Sequence, residues 1–595
     1  MKMTADRTSN SQRIVIGLDY GTTYTGVAYS DSAGSIRDIQ IIFNWPGQYG
    51  HNAVNEKVPS QVAYGDFDGH TYTWGNHIPP NVPRQYWTKL QLDASSKKPR
   101  ELRMLLALLS NDFSSMNLTD DDDDDSALPP AYPGKEPKDI VADYLTGVKE
   151  HVFQHLRTEF GPALFAACTL DVVITVPAVW SDKAKDLTFQ AVTKAGFVGD
   201  KERIKMVTEP EAAATYTLKT LKSGAGGDDF KEGDHFVLCD AGGGTVDLLS
   251  YRVRSVSPDF RVEEAAVGTG DKCGSTFINR RFIDWLKKKL GEKTIERIPE
   301  EKLREGSRIF REFESAKMSF NGSPSKSYLT IPREAKVEDD PANGIEDGDL
   351  CMTEKDLEGL FDPSVNRTLE LIDEQAAAVH ATGSTVKYVF LVGGFGRSDY
   401  LLKKVEEYCT ARGFIARRPP FPWSAVARGA VARGLEESGG GLVELRKCRY
   451  HYGTPVSEDF DPTRHLEKDA YFDELTGEKN AKGQMHWLFN KGDALHVSTP
   501  KRAAIACSRK FKSDEERVCT AQLAYCKDDG APTRYMDEGT IQCSVHLASS
   551  NTNRRRSNRS DTPLHSQSRL KRCSGKQVHS RQVPERRRRI LHCEF

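Results

Sequence analysis

No stretch of the 595 residues approaches the roughly 20 uninterrupted apolar residues of a membrane helix, which excludes an integral membrane protein of the helical kind. No two of the twelve cysteines stand at the CxxC spacing of a zinc site. Cys519 and Cys526 are the nearest pair, and thiols so scattered read as reduced, with several in the core. No G-x-x-x-x-G-K-[ST] occurs, so a phosphate, if one is bound, is not held by a Walker loop. Net charge is nearly missing too, at −2, but the balance is uneven. Residues 551–595 carry 13 Lys and Arg against 3 Asp and Glu, a surplus of +10 that leaves about −12 on the remainder. A mildly acidic body with a basic tail is not a nucleic-acid-binding domain throughout, and no membrane partner is expected. The first ten residues lack the apolar centre of a secretion signal, so the expected home is cytoplasmic, or nuclear if the basic tail serves as an address.

What is present is ordinary globular composition, 38% hydrophobic and 28% charged, over a length that demands several cores. Three breaks divide it. Residues 111–138 contain six consecutive aspartates, Asp120–Asp125, and then Pro129, Pro130, Pro133 and Pro137, which reads as a solvated, acidic excursion. Residues 223–233 (SGAGGDDFKEG) and 436–441 (EESGGG) are the other two. Between the breaks, Ile14–Leu18, Val172–Val176, Phe236–Cys239 and Val389–Val392 read as buried strands. Ile278, Phe282, Trp285 and Leu286 recur at helical spacing, as do Phe310, Phe313 and Phe320. This is an α/β pattern with covered sheets. After Leu445 apolar and polar residues alternate, at Ile541, Cys543, Val545 and Leu547 and at Cys519, Ala521 and Leu523, which suggests a small β unit.

An internal repeat carries the most information. Residues 14–30 read IVIGLDYGTTYTGVAYS and residues 236–251 read FVLCDAGGGTVDLLSY. Each runs apolar strand, Asp, one residue, Gly, a Thr-bearing turn and a second strand, with Asp19 and Asp240 equivalent and 221 residues apart. Two halves on one plan predict a two-lobed molecule with a cleft between the lobes. Asp and Gly also suit ordinary tight hairpins. Glycine, however, lets backbone N–H groups close on a phosphate, at Gly21, Gly242, Gly243 and Gly244, while Thr22, Thr23 and Thr245 add hydroxyls. Asp19 and Asp240 at strand ends suit the water shell of a Mg²⁺ ion. A third loop, Leu391–Ser398, runs from a strand through Gly393 and Gly394 to Arg397, with Ser398 as a helix cap. Arg397 is placed to lie against a base or a phosphate.

The stretches GLDYGTTYTGVAY (17–29), VVITVPAVWSD (172–182), VTEPEAAATY (207–216), CDAGGGTVDL (239–248) and FLVGGFGRS (390–398), in this order, resemble the 70-kDa heat-shock protein family within the actin/hexokinase-like ATPase fold. The resemblance covers about 13–435 and is nearest the family's member-12 branch. It implies an α/β, two-lobed ATPase domain of duplicated sheet-plus-helices halves around a nucleotide cleft. Lobe I would be 13–222 and lobe II 234–435. A partial, β-rich substrate-binding unit would follow at 446–548, then a disordered basic tail at 549–595.

The resemblance also implies roles. Asp19, Thr22 and Thr23 would meet Mg²⁺ and the β/γ-phosphates from the first lobe, and Asp240, Gly242, Gly243, Gly244 and Thr245 from the second. Glu209 and Asp247 would order the metal's water or the attacking water, and Lys89 in YWTKLQLD would reach a phosphate. Glu314 and Lys317 would contact the adenosine. Thr208, Glu211 and Pro210 also read as a capping box with proline at the first helical position. The sequence departs from the family at Met318, where the chaperones carry an arginine, and at Trp423, where they carry an acidic residue.

The function so implied is an ATP-binding, slowly hydrolysing chaperone or nucleotide-gated regulator of a protein client or co-chaperone, with ATP/ADP and Mg²⁺ as cofactors. A small-molecule kinase of the same fold, a filament-former or a scaffold without hydrolysis are the alternatives. Leu442–Leu445 is a poor copy of the family's acidic, leucine-rich linker, and no helical lid pattern follows. The basic tail admits three readings: a localisation or nucleic-acid patch, a solvated tail, or a gene-model artefact that interrupts the β unit after Leu547.

Overall fold

A computed structural model describes residues 13–32, 34–47, 55–67, 70–79, 82–93, 134–178, 180–223, 230–257, 260–303, 306–436, 442–474, 476–497, 499, 501–507, 518–519, 522–535, 540–543, 549–550, 578–582 and 589–594. Asp120–Asp125 and most of the acidic excursion lie outside these residues, as do 224–229 and 437–441 in the other two breaks, and 551–577 in the basic tail. The chain forms two compact units: residues 1–262 with 268–442, and residues 263–267 with 443–595. No helix among the described residues is long and apolar enough to cross a membrane.

The first unit holds the repeat as two lobes. In the first lobe, Arg13–Tyr20 and Tyr24–Asp31 form the expected hairpin, with Asp19 opposite Gly26. Thr169–Val176 runs parallel to its first arm and Ile204–Thr208 lies parallel beyond that. Ile14, Ile16, Val172 and Ile174 are fully buried, because parallel strands covered on both faces read as continuous apolar runs. Helix Pro137–Phe160 lays Val141, Leu145, Val148 and Val152, one stripe at helical spacing, on the core of this sheet. In the second lobe, His235–Ala241 and Val246–Ser255 form the second hairpin. Val386–Val392 runs parallel to its first arm and Ile415–Arg417 follows. The plan of hairpin plus parallel strand is thus used twice. Beside it, the two predicted aromatic faces pack together: the rings of Phe282, on helix Thr276–Leu290, and Phe313, on helix Arg308–Ser319, stack with centroids 3.9 Å apart.

Helix Ala425–Leu435 belongs to the second lobe by position in the chain but packs on the first. Its Ala427 carbonyl sits where a side chain on Gly17 would be, and Gly434 lies against Val15 and Val173 of the first-lobe strands. The reason is its composition. AVARGAVARGL presents small residues on successive turns, which lets its backbone reach other backbones. Gly429 is the tightest case, since a Cβ there would overlap the carbonyl of Ala212 on helix Glu209–Ser223. Ala212, Ala213 and Ala214 are fully buried at this crossing, which gives the EAAA segment a packing role.

The second unit is a small β structure. Ala470–Phe472, Lys479–Phe489, His451–Asp459, Leu523–Cys526 and Thr540–Cys543 form an antiparallel sheet in that order. Arg502–Cys507 pairs with Arg589–Glu594, which pairs with Val578–Gln582, so the described part of the basic tail is strand. Cys239, Cys273, Cys409, Cys448 and Cys526 are buried free thiols.

The crossing at Gly429 makes a prediction of unusual sign. Glycine to alanine inside a helix ordinarily stabilises by about 0.5–1 kcal/mol. Gly429→Ala is expected to destabilise by roughly 1–3 kcal/mol, because the new methyl meets backbone that cannot repack. Urea denaturation followed by circular dichroism measures the difference, and a stabilised variant contradicts the packing described.

Candidate functional site

Every residue assigned a site role from the sequence lines one cleft of about 510 Å³ in the first unit: Asp19, Gly21, Thr22, Thr23, Lys89, Glu209, Asp240, Gly242, Gly243, Gly244, Thr245, Asp247, Glu314, Lys317, Gly393, Gly394 and Arg397. The two hairpins present the same turn to it. The Gly21 N–H bonds the Tyr24 carbonyl at 3.2 Å, and the Gly242 N–H bonds the Thr245 carbonyl at 2.9 Å, both pairs related by the repeat. The second turn is held from behind. The carbonyls of Gly242, Gly243 and Gly244 accept from the N–H groups of Ser275, Thr276 and Gly274, where helix Thr276–Leu290 begins. In a trans peptide the next N–H points the opposite way, so the amides of Gly243, Gly244 and Thr245 face away from that helix as a run of donors. Gly393 has φ of +90°, and a Cβ there would press on the Ala241 carbonyl, so the third loop needs glycine to close on the second hairpin.

Charge is concentrated here. Asp19 accepts from Lys57 Nζ at 2.6 Å through Oδ2 and from Thr175 Oγ1 at 3.3 Å through Oδ1. Lys89 is ion-paired with Glu209, and its ammonium lies 5.6 Å from the centre of the Trp180 ring. Thr245 Oγ1 donates to Asp247 Oδ2 at 2.9 Å. Asp19, Glu209, Asp240 and Asp247 are all buried, as are Lys57 and Lys89. Burial, together with the nearby carboxylates of Glu209, Asp19 and Asp247, pushes Asp240 up to about 8, against a smaller pull from Lys57. Burial likewise raises Glu209, while Lys89 pulls it back. Asp247 is raised by burial and held down in part by the Thr245 hydroxyl and Lys89.

Such a site fits a cation and a polyphosphate. Four acidic side chains stand beside two ammonium groups, an excess that a hydrated cation would offset, and the glycine amides would suit phosphate oxygens. Among the described residues no group of three His, Cys, Asp or Glu side chains is placed to bind a metal directly. A metal here would be held by Asp19 and Asp240 through water, together with phosphate oxygens.

Lys57 escaped sequence reasoning because it enters through a three-residue strand, Lys57–Pro59, that pairs beside Gly26. Trp87 escaped it as well. It takes a left-handed conformation, φ 54° and ψ 30°, immediately before the one-turn helix Thr88–Gln91 that carries Lys89. A bulky residue in that region costs about 1–3 kcal/mol and persists only when the surroundings fix it. Tyr20 does so from the first hairpin, its hydroxyl 2.5 Å from Thr88 Oγ1. Helix Glu209–Ser223 starts at Glu209, one residue before the position that would put Pro210 first. On the far side, Lys317 Nζ donates to Asn279 Oδ1 at 2.6 Å and pairs with Glu314, while Met318 is largely exposed. The Arg397 guanidinium lies 5.7 Å from the centre of the Trp423 ring, which meets Tyr24 edge-on.

The raised Asp240 has a pH consequence. Its carboxyl holds a proton in the folded state between roughly pH 4 and 8 that the unfolded chain has lost, so without ligand stability falls as pH rises through that window. Asp240→Asn is expected to flatten the slope by up to roughly 1 kcal/mol per pH unit and to be the more stable form at pH 8. Thermal melts of both proteins across pH 5–8, in EDTA, test this; parallel profiles would contradict it.

Comparison with known proteins bears on the family of the chain. The family model described as "Hsp70 protein" matches residues 110–438, more than half of the chain. The chain is similar to human heat shock 70 kDa protein 12B, 25% identical over 76% of this chain and 72% of that protein. It is similar to human heat shock 70 kDa protein 12A, 25% identical over 76% and 73%. With the mouse 12A protein it is 26% identical over 78% and 75%.

Proposed function

The chain belongs to the Hsp70 family, and on that premise we propose that it is a slow, Mg²⁺-dependent ATPase whose nucleotide state gates a protein client or co-chaperone. That it is an Hsp70-like ATP-binding protein follows from the family; hydrolysis and partner control are the proposal. The observation that carries it is the pair of equivalent hairpins, each ending a strand in a buried aspartate and turning glycine amides and threonine hydroxyls into one cleft.

Each residue has work in such a reaction. The amides of Gly243, Gly244 and Thr245, with the hydroxyls of Thr22 and Thr23, bind phosphate oxygens and hold the terminal phosphate in line. Lys89 brings a fixed positive charge to the position where negative charge accumulates on the transferred group, and Glu209 and Trp180 keep its ammonium in place. Asp247, oriented by Thr245, and Glu209 are acceptors for the protons of an attacking water. Asp19 and Asp240 orient the water shell of the metal, and Mg²⁺ when bound supplies charge neutralisation at the β- and γ-phosphates. Glu314 and Lys317 line the adenosine side. The heat-shock reading is favoured over a small-molecule kinase by the Hsp70 match. The second unit offers a surface for a partner, with Phe472 at 68% exposure and Leu466 and Tyr471 exposed nearby. A cytoplasmic location completes the reading, with the nucleus as the alternative if the basic tail acts as an address.

Purified protein is expected to release phosphate from Mg·ATP slowly. Asp240→Asn and Lys89→Ala are expected to lower the rate by on the order of 100-fold. Calorimetric titration with ATP should be run beside it. Binding without release would make the protein a nucleotide-sensing scaffold, and no binding at all would overturn the reading of the cleft.

A further inference from the structure

The two hairpins share a backbone plan but not a charge plan. In the first lobe, cross-strand register aligns Asp19, Gly26 and Lys57 in one row over three neighbouring strands. Residues directly paired in antiparallel strands share a face, so Asp19 and Lys57 stand on the same side with Gly26 between them. Gly26 has no side chain, and the stem of Lys57 crosses it: a Cβ on Gly26 would lie 3.1 Å from Lys57 Cγ and 3.2 Å from Cε. The ammonium therefore reaches Asp19 Oδ2, at 2.6 Å, with only 9% of the lysine side chain exposed. In the second lobe, the equivalent row is Asp240, Asp247 and Gly270. There the middle position carries the acid and the outer one is glycine, whose added Cβ would meet Asp247 Oδ1 at 2.7 Å. One row holds its own cation and the other holds two acids.

We propose that Lys57 is a built-in cation of the phosphate site, so that this cleft binds the diphosphate of a nucleotide without a divalent metal. The proposal rests on the nucleotide reading of the cleft given above. Lys57 lines the cleft together with Thr22 and Thr23, the first-lobe phosphate donors. Its ammonium has three N–H groups, of which the bond to Asp19 takes one. A phosphate oxygen arriving beside Asp19 accepts another in a charge-assisted bond. Asp19 has protein partners at both oxygens, Lys57 at Oδ2 and Thr175 at Oδ1, so its charge is met before any metal arrives. Lys57 thus acts as a positioning and binding residue for phosphate, and Mg²⁺ contributes less to affinity than the aspartate content of the cleft suggests.

The test is calorimetric titration of ADP into the 595-residue chain, in Mg²⁺ and in EDTA, for the wild type, Lys57→Met and Lys57→Arg. For the wild type the affinity is expected to fall by less than about 10-fold when Mg²⁺ is removed. For Lys57→Met, which keeps the apolar stem, the same ratio is expected to exceed about 100-fold, the worth of a lost charge-assisted bond. Lys57→Arg, which keeps the charge, is expected to move the ratio back toward the wild-type value. A lysine that only braces the sheet would leave the Mg²⁺ ratio of Lys57→Met equal to the wild type's, and that result overturns the proposal. Loss of wild-type binding in EDTA with binding intact in Mg²⁺ overturns it too, while leaving the nucleotide reading standing. Absence of ADP binding in both buffers overturns the nucleotide reading itself. Should Lys57→Met show no cooperative thermal transition, the wild-type ratio and that of Lys57→Arg decide.

Discussion

A carboxylate taken out of water costs several kcal/mol unless cations or hydrogen-bond donors replace the lost solvent. The cleft buries Asp19, Glu209, Asp240 and Asp247 together, so the nearby structure is largely a set of answers to that cost. Lys57 answers for Asp19 and Lys89 for Glu209. Thr245 answers in part for Asp247. Asp240 has the weakest answer among the protein groups and holds its proton up to about pH 8 for that reason. A site arranged in this way holds more buried acidic side chains than ammonium groups to meet them. The imbalance is local, at one aspartate, and each neighbouring ammonium is already ion-paired with another acid.

Holding those groups at fixed spacing requires elements that cannot shift, and here the molecule relies on the absence of side chains. Glu209 stands at the first position of helix Glu209–Ser223, whose Ala212 is in backbone contact with Gly429. The same helix Ala425–Leu435 rests on Gly17, two residues before Asp19. Two of the acids are therefore positioned by one rod of small residues, and neither contact has a side chain long enough to absorb a displacement. Helix propensity alone would not make an element so rich in glycine stable; packing on both faces does.

The strands, the hairpins and the Gly-rich loops were readable because they depend on local chemistry: apolar runs for buried strands, and Asp-x-Gly with threonine for the turns. The three residues that change the account of the cleft were not readable, for physical reasons specific to each. Lys57 joins Asp19 through register across two strand pairings, and nothing in the sequence around NEKVPS announces that register. Gly26 looks like any hairpin glycine until the lysine stem is seen to cross it. Trp87 adopts a left-handed backbone that its own identity disfavours, so only the surroundings specify it. Chain order assigns helix Ala425–Leu435 to one lobe, while its small residues pack it on the other. The Ala-rich EPEAAA segment could be read from sequence as a signature, but its reason, a helix crossing at van der Waals limits, is a property of the pair.

The helical wall of the cleft obeys a different rule from the hairpins. Glu314, Lys317 and Asn279 form a linked polar set along one wall. Opposite chemistry is supplied by aromatic surface, since Trp423 is flanked by the Arg397 guanidinium and by the edge of Tyr24. The arginine thus already lies over a protein ring. Stacking and apolar contact of this kind reward any flat ring and read little of its hydrogen-bonding edge. Specificity in such a cleft is set where groups are fixed and buried, and those groups are at the hairpins. The hairpin end, with its paired lysines, glycine-rich turns and one under-compensated aspartate, is the part of the site whose geometry tolerates least change.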